Sequence, residues 1–307
     1  MVHVIEDATE SDRRLDMEEP RHREAARYRQ TPAGREVAVS DAVPTALILM
    51  YHRVADVSTD PHLLCVSPRR FAEQLEILRK HARPMRLHDL EQALSRGDVP
   101  PWAVVVTFDD GYADTLLDAK PLLERYDIPS TAFVTSGYLG SGGEFWWDEL
   151  DRLVLGPKEL PETPRIGVEG RLYEWSLGEA ARYTEAAFRQ HRGWDLEREE
   201  DPTPRQRLHR ALHALILPLA EEERRDVLAQ PRVQTGGSSP AGTSRRTLSS
   251  EEVVALAEGG LIEIGSHSVT HTWLPSLPTA RQRDEIGRSK ADLESVLGRP
   301  WRASRTR

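Results

Sequence analysis

The chain has 307 residues, enough to bury a sizeable core in one large domain or two small ones. Its formal net charge of -9 argues against nucleic acid as a partner, because phosphate binding needs a basic face. Its one cysteine, Cys65, excludes an internal disulfide and a CxxC metal site.

No stretch approaches the roughly 18 apolar residues that a membrane helix needs, and residues 1–20 carry no apolar leader core. The expected location is therefore the cytoplasm by default, or outside it if the true start differs.

Residues 1–43 are dense in Glu, Asp and Arg with almost no apolar period. Such a segment cannot offset its ordering entropy, so a disordered or loosely helical extension is expected there. The folded domain is expected over 44–307, opening near Thr45. Ala46 to Met50 is a short continuous apolar run, as in a strand buried on both faces. Ser67-Pro68 then starts a helix, whose buried face is Phe71, Leu75 and Leu78. Ala103 to Phe108 is a second buried strand, Asp114 to Tyr126 a helix, and Thr131 to Val134 a third strand. Strands alternating with helices imply an α/β fold with a parallel sheet.

From about 140 to 246 the pattern changes. Trp146 and Trp147 precede an acidic stretch, and Leu208, Leu212, Leu215, Ile216 and Leu219 make one helical stripe. A mostly helical insertion is expected, closed by a mobile loop at Gly236 to Gly242. The α/β pattern resumes with a capping box, Ser249 and Glu252. A strand follows at Leu261 to Gly265, then a helix at Ala280 to Leu297. The tail Trp301 to Arg307 shows no strand pattern.

Two constellations carry chemistry. Asp109 and Asp110 end a buried strand in Thr107-Phe108-Asp109-Asp110-Gly111, where parallel α/β folds place their sites. Either both carboxylates turn into one pocket or they cap a strand-to-helix loop. His267-Ser268-Val269-Thr270-His271 also follows a strand. Histidines four apart on one face of a helical turn are a common ligand spacing for Zn²⁺ and similar ions. Asp110 is the natural carboxylate to complete two histidines. His209 and His213 share that spacing, but no strand end precedes them, and half-exposed helix histidines are expected. His52 follows the first strand and is expected at the same sheet end, as a hydrogen-bonding or site-lining residue. Trp273 is a candidate to stack on a sugar ring, whereas at least one of Trp146 and Trp147 belongs to the core.

These motifs resemble the polysaccharide deacetylase family, also called the NodB homology domain or carbohydrate esterase family 4. Thr107 to Gly111 is similar to its first motif, His267 to His271 to its second, and Leu49 to Val54 to its opening strand. The resemblance covers Ala46 to Pro300. It implies a distorted (β/α)7-type barrel and a hydrolase removing N-acetyl groups from amino-sugar polymers or oligosaccharides. It implies Asp109 as general base, Asp110, His267 and His271 as ligands of a divalent ion (Zn, with Co or Ni as alternatives), and Ser268 as loop support. The family's Pro-Tyr-Gly motif should follow Leu297 to Pro300 and does not, and the later Asp-Trp and Leu-x-His motifs are also absent. The resemblance thus implies a barrel incomplete at its C-terminus and an impaired catalyst. Two alternatives stand beside it: a metal- or sugar-binding remnant, and a metal-dependent amidase for a small non-sugar amide.

Overall fold

The computed structural model describes residues 2–5, 46–140, 143–156, 159–234 and 245–299. The expected loop at Gly236 to Gly242 and the tail Trp301 to Arg307 lie outside them. The strands are β1 (Val2–Ile5), β2 (Ala46–Tyr51), β3 (Arg53–Val54), β4 (Cys65–Val66), β5 (Arg83–Pro84), β6 (Ala103–Phe108), β7 (Ser130–Val134), β8 (Arg165–Val168), β9 (Arg171–Glu174) and β10 (Ile262–Ser266). The helices are α1 (Pro68–His81), α2 (Leu87–Arg96), α3 (Lys120–Tyr126), α4 (Trp146–Val154), α5 (Glu185–His191), α6 (Pro204–Ile216), α7 (Glu221–Gln234), α8 (Ser250–Ala257) and α9 (Thr279–Leu297).

The main sheet runs β1-β2-β6-β7-β10, with β5 also on β6. Every pairing in it is parallel except that of β1 with β2. Among the described residues this path is open at β1 and β10, so the structure shows a parallel α/β sheet and not a closed barrel. The alternation of β6 explains its central place. Val106 and Phe108 face a core shared with Phe71 and Leu75 of α1, Leu123 of α3, Leu256 of α8 and Leu293 of α9. Ala103 and Val105 face the opposite way, against Leu90 of α2. A strand covered on both faces reads as the continuous apolar run seen here. Ser67 caps α1 by accepting from Arg70 N, and the capping box of Ser249 and Glu252 opens α8.

Two expectations need correction, and one element was not expected. β2 is half-buried beyond Ala46, not buried on both faces. No ordered element was expected before Thr45, yet Val2–Ile5 pairs with β2, Val2 opposite Leu49 and Ile5 opposite Ala46. Val-His-Val-Ile is rich in β-branched residues, and the edge of β2 offers it a ladder. Residues 6–43 of the expected extension lie outside the described ones. Within the insertion, β8 and β9 form an antiparallel hairpin beside the helices. Its two-residue turn holds Glu169 at φ 49° and Gly170 at φ 76°, the positive pair that a tight hairpin turn requires.

The insertion has its own core. Phe145, Leu150, Leu153, Ile166, Trp194, Leu208, Leu212 and Ile216 pack together, and Tyr112 from the loop after β6 joins them. Arg205 is wholly buried there. Its guanidinium donates to the carbonyls of Val154, Ala180 and Ala181, so backbone dipoles help to meet its charge.

Candidate functional site

The loops after β6, β7 and β10 meet at the carboxyl ends of those strands. Asp109 N donates to Tyr51 O at 2.9 Å, which continues the β2–β6 ladder up to the first carboxylate. The chain then turns sharply, with Asp110 at φ 74° and Gly111 at φ 91°. A Cβ on Gly111 would sit 2.9 Å from Val134 Cγ1, so glycine is required for both conformation and room. Thr135 N donates to Asp110 O, tying the turn to β7.

The second motif is not the helical turn expected from its spacing. It is a loop in which Ser268 (φ 63°) and His271 (φ 52°) adopt left-handed backbone. Tertiary bonds impose this shape. Ser136 N and Gly137 N donate to the carbonyls of Ser268 and Val269. Glu285 on α9 accepts from Val269 N and Thr270 N, both at 2.9 Å, and Ser268 Oγ accepts from His271 N at 3.0 Å. A Cβ on Gly137 would lie 2.4 Å from Val269 O, so that approach also needs glycine.

This backbone brings Asp110, His267 and His271 together, with one ligand atom from each within 4.8 Å of the others. His271 Nε2 lies 3.0 Å and His267 Nε2 3.5 Å from the same oxygen, Asp110 Oδ1. That oxygen is buried and lacks a hydrogen bond of acceptable geometry. A buried carboxylate oxygen facing two imidazole nitrogens without a hydrogen bond suits a divalent cation. Burial alone would raise the Asp110 carboxyl. The facing imidazoles, His271 foremost, overrule it and hold the group below its usual range. Asp109 is half-buried beside them, and burial pushes its carboxyl up. The two neighbouring carboxylates are thus driven in opposite directions.

Asp110 and His271 open onto a cavity of about 340 Å³, which His52, His62, Trp146, Trp147, His213 and Trp273 also line. His52 therefore reaches the same sheet end, whereas Asp109 is not part of the lining. Trp273 stands 67% exposed at the cavity, and Trp146 and Trp147 are both buried. Trp147 packs on His271 with ring centroids 4.8 Å apart and stacks on Phe145 at 4.5 Å. The insertion thus forms one wall of the site.

A buried polar chain runs behind that wall. Trp147 Nε1 donates to Tyr112 Oη, and Tyr112 Oη donates to Asp148 Oδ2 at 2.6 Å. Arg245 reaches both Asp148 and Asp151, and Arg53 pairs with Asp114 at 2.8 Å. Asp151 Oδ1 faces His209 Nε2 at 2.7 Å and His62 Nε2 at 3.2 Å. His209 is fully buried, not half-exposed as its helix position suggests, because α6 packs on α4 and places it against Asp151. His213 is half-buried, and burial pushes its imidazole down to about 4. Asp148 and Asp151, three apart on α4, were the available sequence signal for this network.

Fold and site together define a class: an α/β protein that gathers two histidines and a carboxylate at parallel strand ends. The polysaccharide deacetylase profile matches residues 96–161 and 231–307. A poly-beta-1,6-N-acetyl-D-glucosamine N-deacetylase of Staphylococcus aureus is 28% identical over 137 residues, covering 40% of this chain and 46% of that protein. The chain thus spans less than half the length of the curated relatives it matches. Among solved structures, the Streptococcus pyogenes deacetylase PplD in complex with acetate aligns over 82% of this chain and 69% of that one, at 17% identity and a TM-score of 0.45. IcaB from Ammonifex degensii aligns over 84% and 71%, at 19% identity and a TM-score of 0.45. Over those two segments the chain is similar to the polysaccharide deacetylase family.

Proposed function

We propose that this protein is a metal-dependent hydrolase that removes N-acetyl groups from an amino-sugar polymer or oligosaccharide. One observation carries the reading. Asp110 Oδ1, His267 Nε2 and His271 Nε2 converge at strand ends, and the carboxylate oxygen between them is buried without a hydrogen bond. The match to the polysaccharide deacetylase family and the N-deacetylase relatives support the N-acetyl substrate. The parent fold under this reading is the distorted (β/α)7 barrel, to which the described parallel strands contribute.

Asp110, His267 and His271 would hold the ion, with zinc the best match to a mixed nitrogen and oxygen set and Co or Ni as substitutes. A bound ion would supply Lewis acidity to the acetamide carbonyl. Asp109 takes the proton of the attacking water. Its raised pKa brings it nearer the operating range of a general base than an ordinary Asp. Ser268 and Glu285 hold the loop that aims both imidazoles. Trp273, exposed at the cavity, offers a stacking face for a sugar ring.

The test is acetate release from an N-acetylglucosamine oligomer with added Zn²⁺ or Co²⁺, beside a small acetamide. Release from the oligomer should fall by about 10²–10⁴-fold in Asp109→Asn. Turnover of the acetamide alone would favour the amidase alternative. Metal binding without turnover of either substrate would leave a binding module.

A further inference from the structure

We propose that His62, Asp151 and His209 form a second divalent-metal site, separate from Asp110, His267 and His271. The three come from separate parts of the chain: His62 from the segment between β3 and β4, Asp151 from α4 and His209 from α6. Their ligand atoms lie within 4.8 Å of one another, as those of the motif site do. The arrangement also repeats. In each place two imidazole Nε2 atoms converge on one carboxylate oxygen, at 2.7 and 3.2 Å here against 3.0 and 3.5 Å there.

Access favours an ion. Asp151 and His209 are buried, while the His62 side chain keeps 12% exposure and lines the cavity that opens at Asp110. An ion can therefore enter from the cavity. Arg245 engages the other Asp151 oxygen at 2.9 Å and fixes the carboxylate with Oδ1 turned to the imidazoles. Arg245 is shared between Asp151 and Asp148.

Proton placement agrees. Without an ion, both imidazoles must donate N–H to one oxygen, and His209 Nδ1 keeps a buried lone pair with no hydrogen-bond partner. An ion on Nε2 puts the proton on Nδ1 of a ring that packs edge-to-face with Trp194, centroids 5.5 Å apart. Two nitrogens and one oxygen suit Zn²⁺ or Co²⁺ and not Mg²⁺ or Ca²⁺. Bound there, the ion cross-links the insertion to the segment after β3.

The inference does not rest on the deacetylase reading, and its test separates the two. The metal-stripped 307-residue chain is titrated with Co²⁺ and then Zn²⁺, with metal content measured after dialysis. Wild type should hold about two ions per chain, the double variant His267→Ala, His271→Ala about one, and His62→Ala about one. In the double variant, added Zn²⁺ should still raise the thermal midpoint, because an ion bound only by the folded chain stabilises it. The double variant holding no ion, with no shift in its midpoint, overturns the proposal whatever becomes of His62→Ala. His62→Ala matching wild type in metal content overturns it as well.

Discussion

Asp109 and Asp110 are adjacent in sequence and opposite in surroundings. Asp110 is almost wholly buried with two imidazoles against one oxygen, and it is held ionised. Asp109 has burial pushing the other way. Asp110→Asn should therefore lose most of the motif-site metal, and Asp109→Asn should keep it while losing turnover. Elemental analysis beside acetate release checks this, and equal metal loss in both would reject the division of roles. These residues were legible because strand, turn and motif coincide within a few positions. The wall of the site was not. Nothing in the sequence separates His209 from a surface histidine, since its burial depends on α4 packing across α6. Glu285 was equally hidden, on a helix with several other acidic residues.

At the scale of elements, the loop carrying His267 and His271 is shaped by its neighbours. Two of its residues hold positive φ without being glycine, a cost of about 1–3 kcal/mol each that surrounding bonds must offset. Glu285 on α9 receives two backbone N–H groups and the Thr270 hydroxyl. Glu285→Ala should weaken motif-site metal binding by about 10–100-fold and cost about 1–3 kcal/mol of stability. Glu285→Gln, which keeps an acceptor, should recover part of both. Metal titration beside thermal melting checks it, and unchanged affinity in the Ala variant would reject the clamp. The elements themselves were largely readable: β6, α1 and α8 announce themselves by apolar runs and caps. The helical turn expected for His267 to His271 failed because i, i+4 spacing carries no information on bonds from β7 and α9. The hairpin of β8 and β9 was missed despite its signal, Glu169-Gly170 between alternating strands, because the surrounding segment is dominated by helices.

For the whole molecule, the insertion and the sheet are joined by buried charge, and pH tests that join. Asp148 sits behind Tyr112, and burial raises its carboxyl from an ordinary 3.8 to about 7. The folded state therefore holds a proton between pH 4 and 7 that the unfolded chain has released. Stability from this group is present at low pH and is lost as pH rises through that window. Asp148→Asn removes the titration and keeps an oxygen that can accept from Tyr112. The stability of wild type minus that of the variant should thus fall by about 1.4 kcal/mol per pH unit across the window. The background does not interfere. His213, pushed down to about 4, contributes stability lost as pH falls from 6.5, but it titrates in both chains and cancels in the difference. Urea unfolding of the two proteins at steps from pH 4 to 8 gives that difference directly. Parallel curves would mean that Asp148 is ionised throughout. The two guanidiniums, Arg53 and Arg245, would then outweigh burial in setting the charge between insertion and sheet.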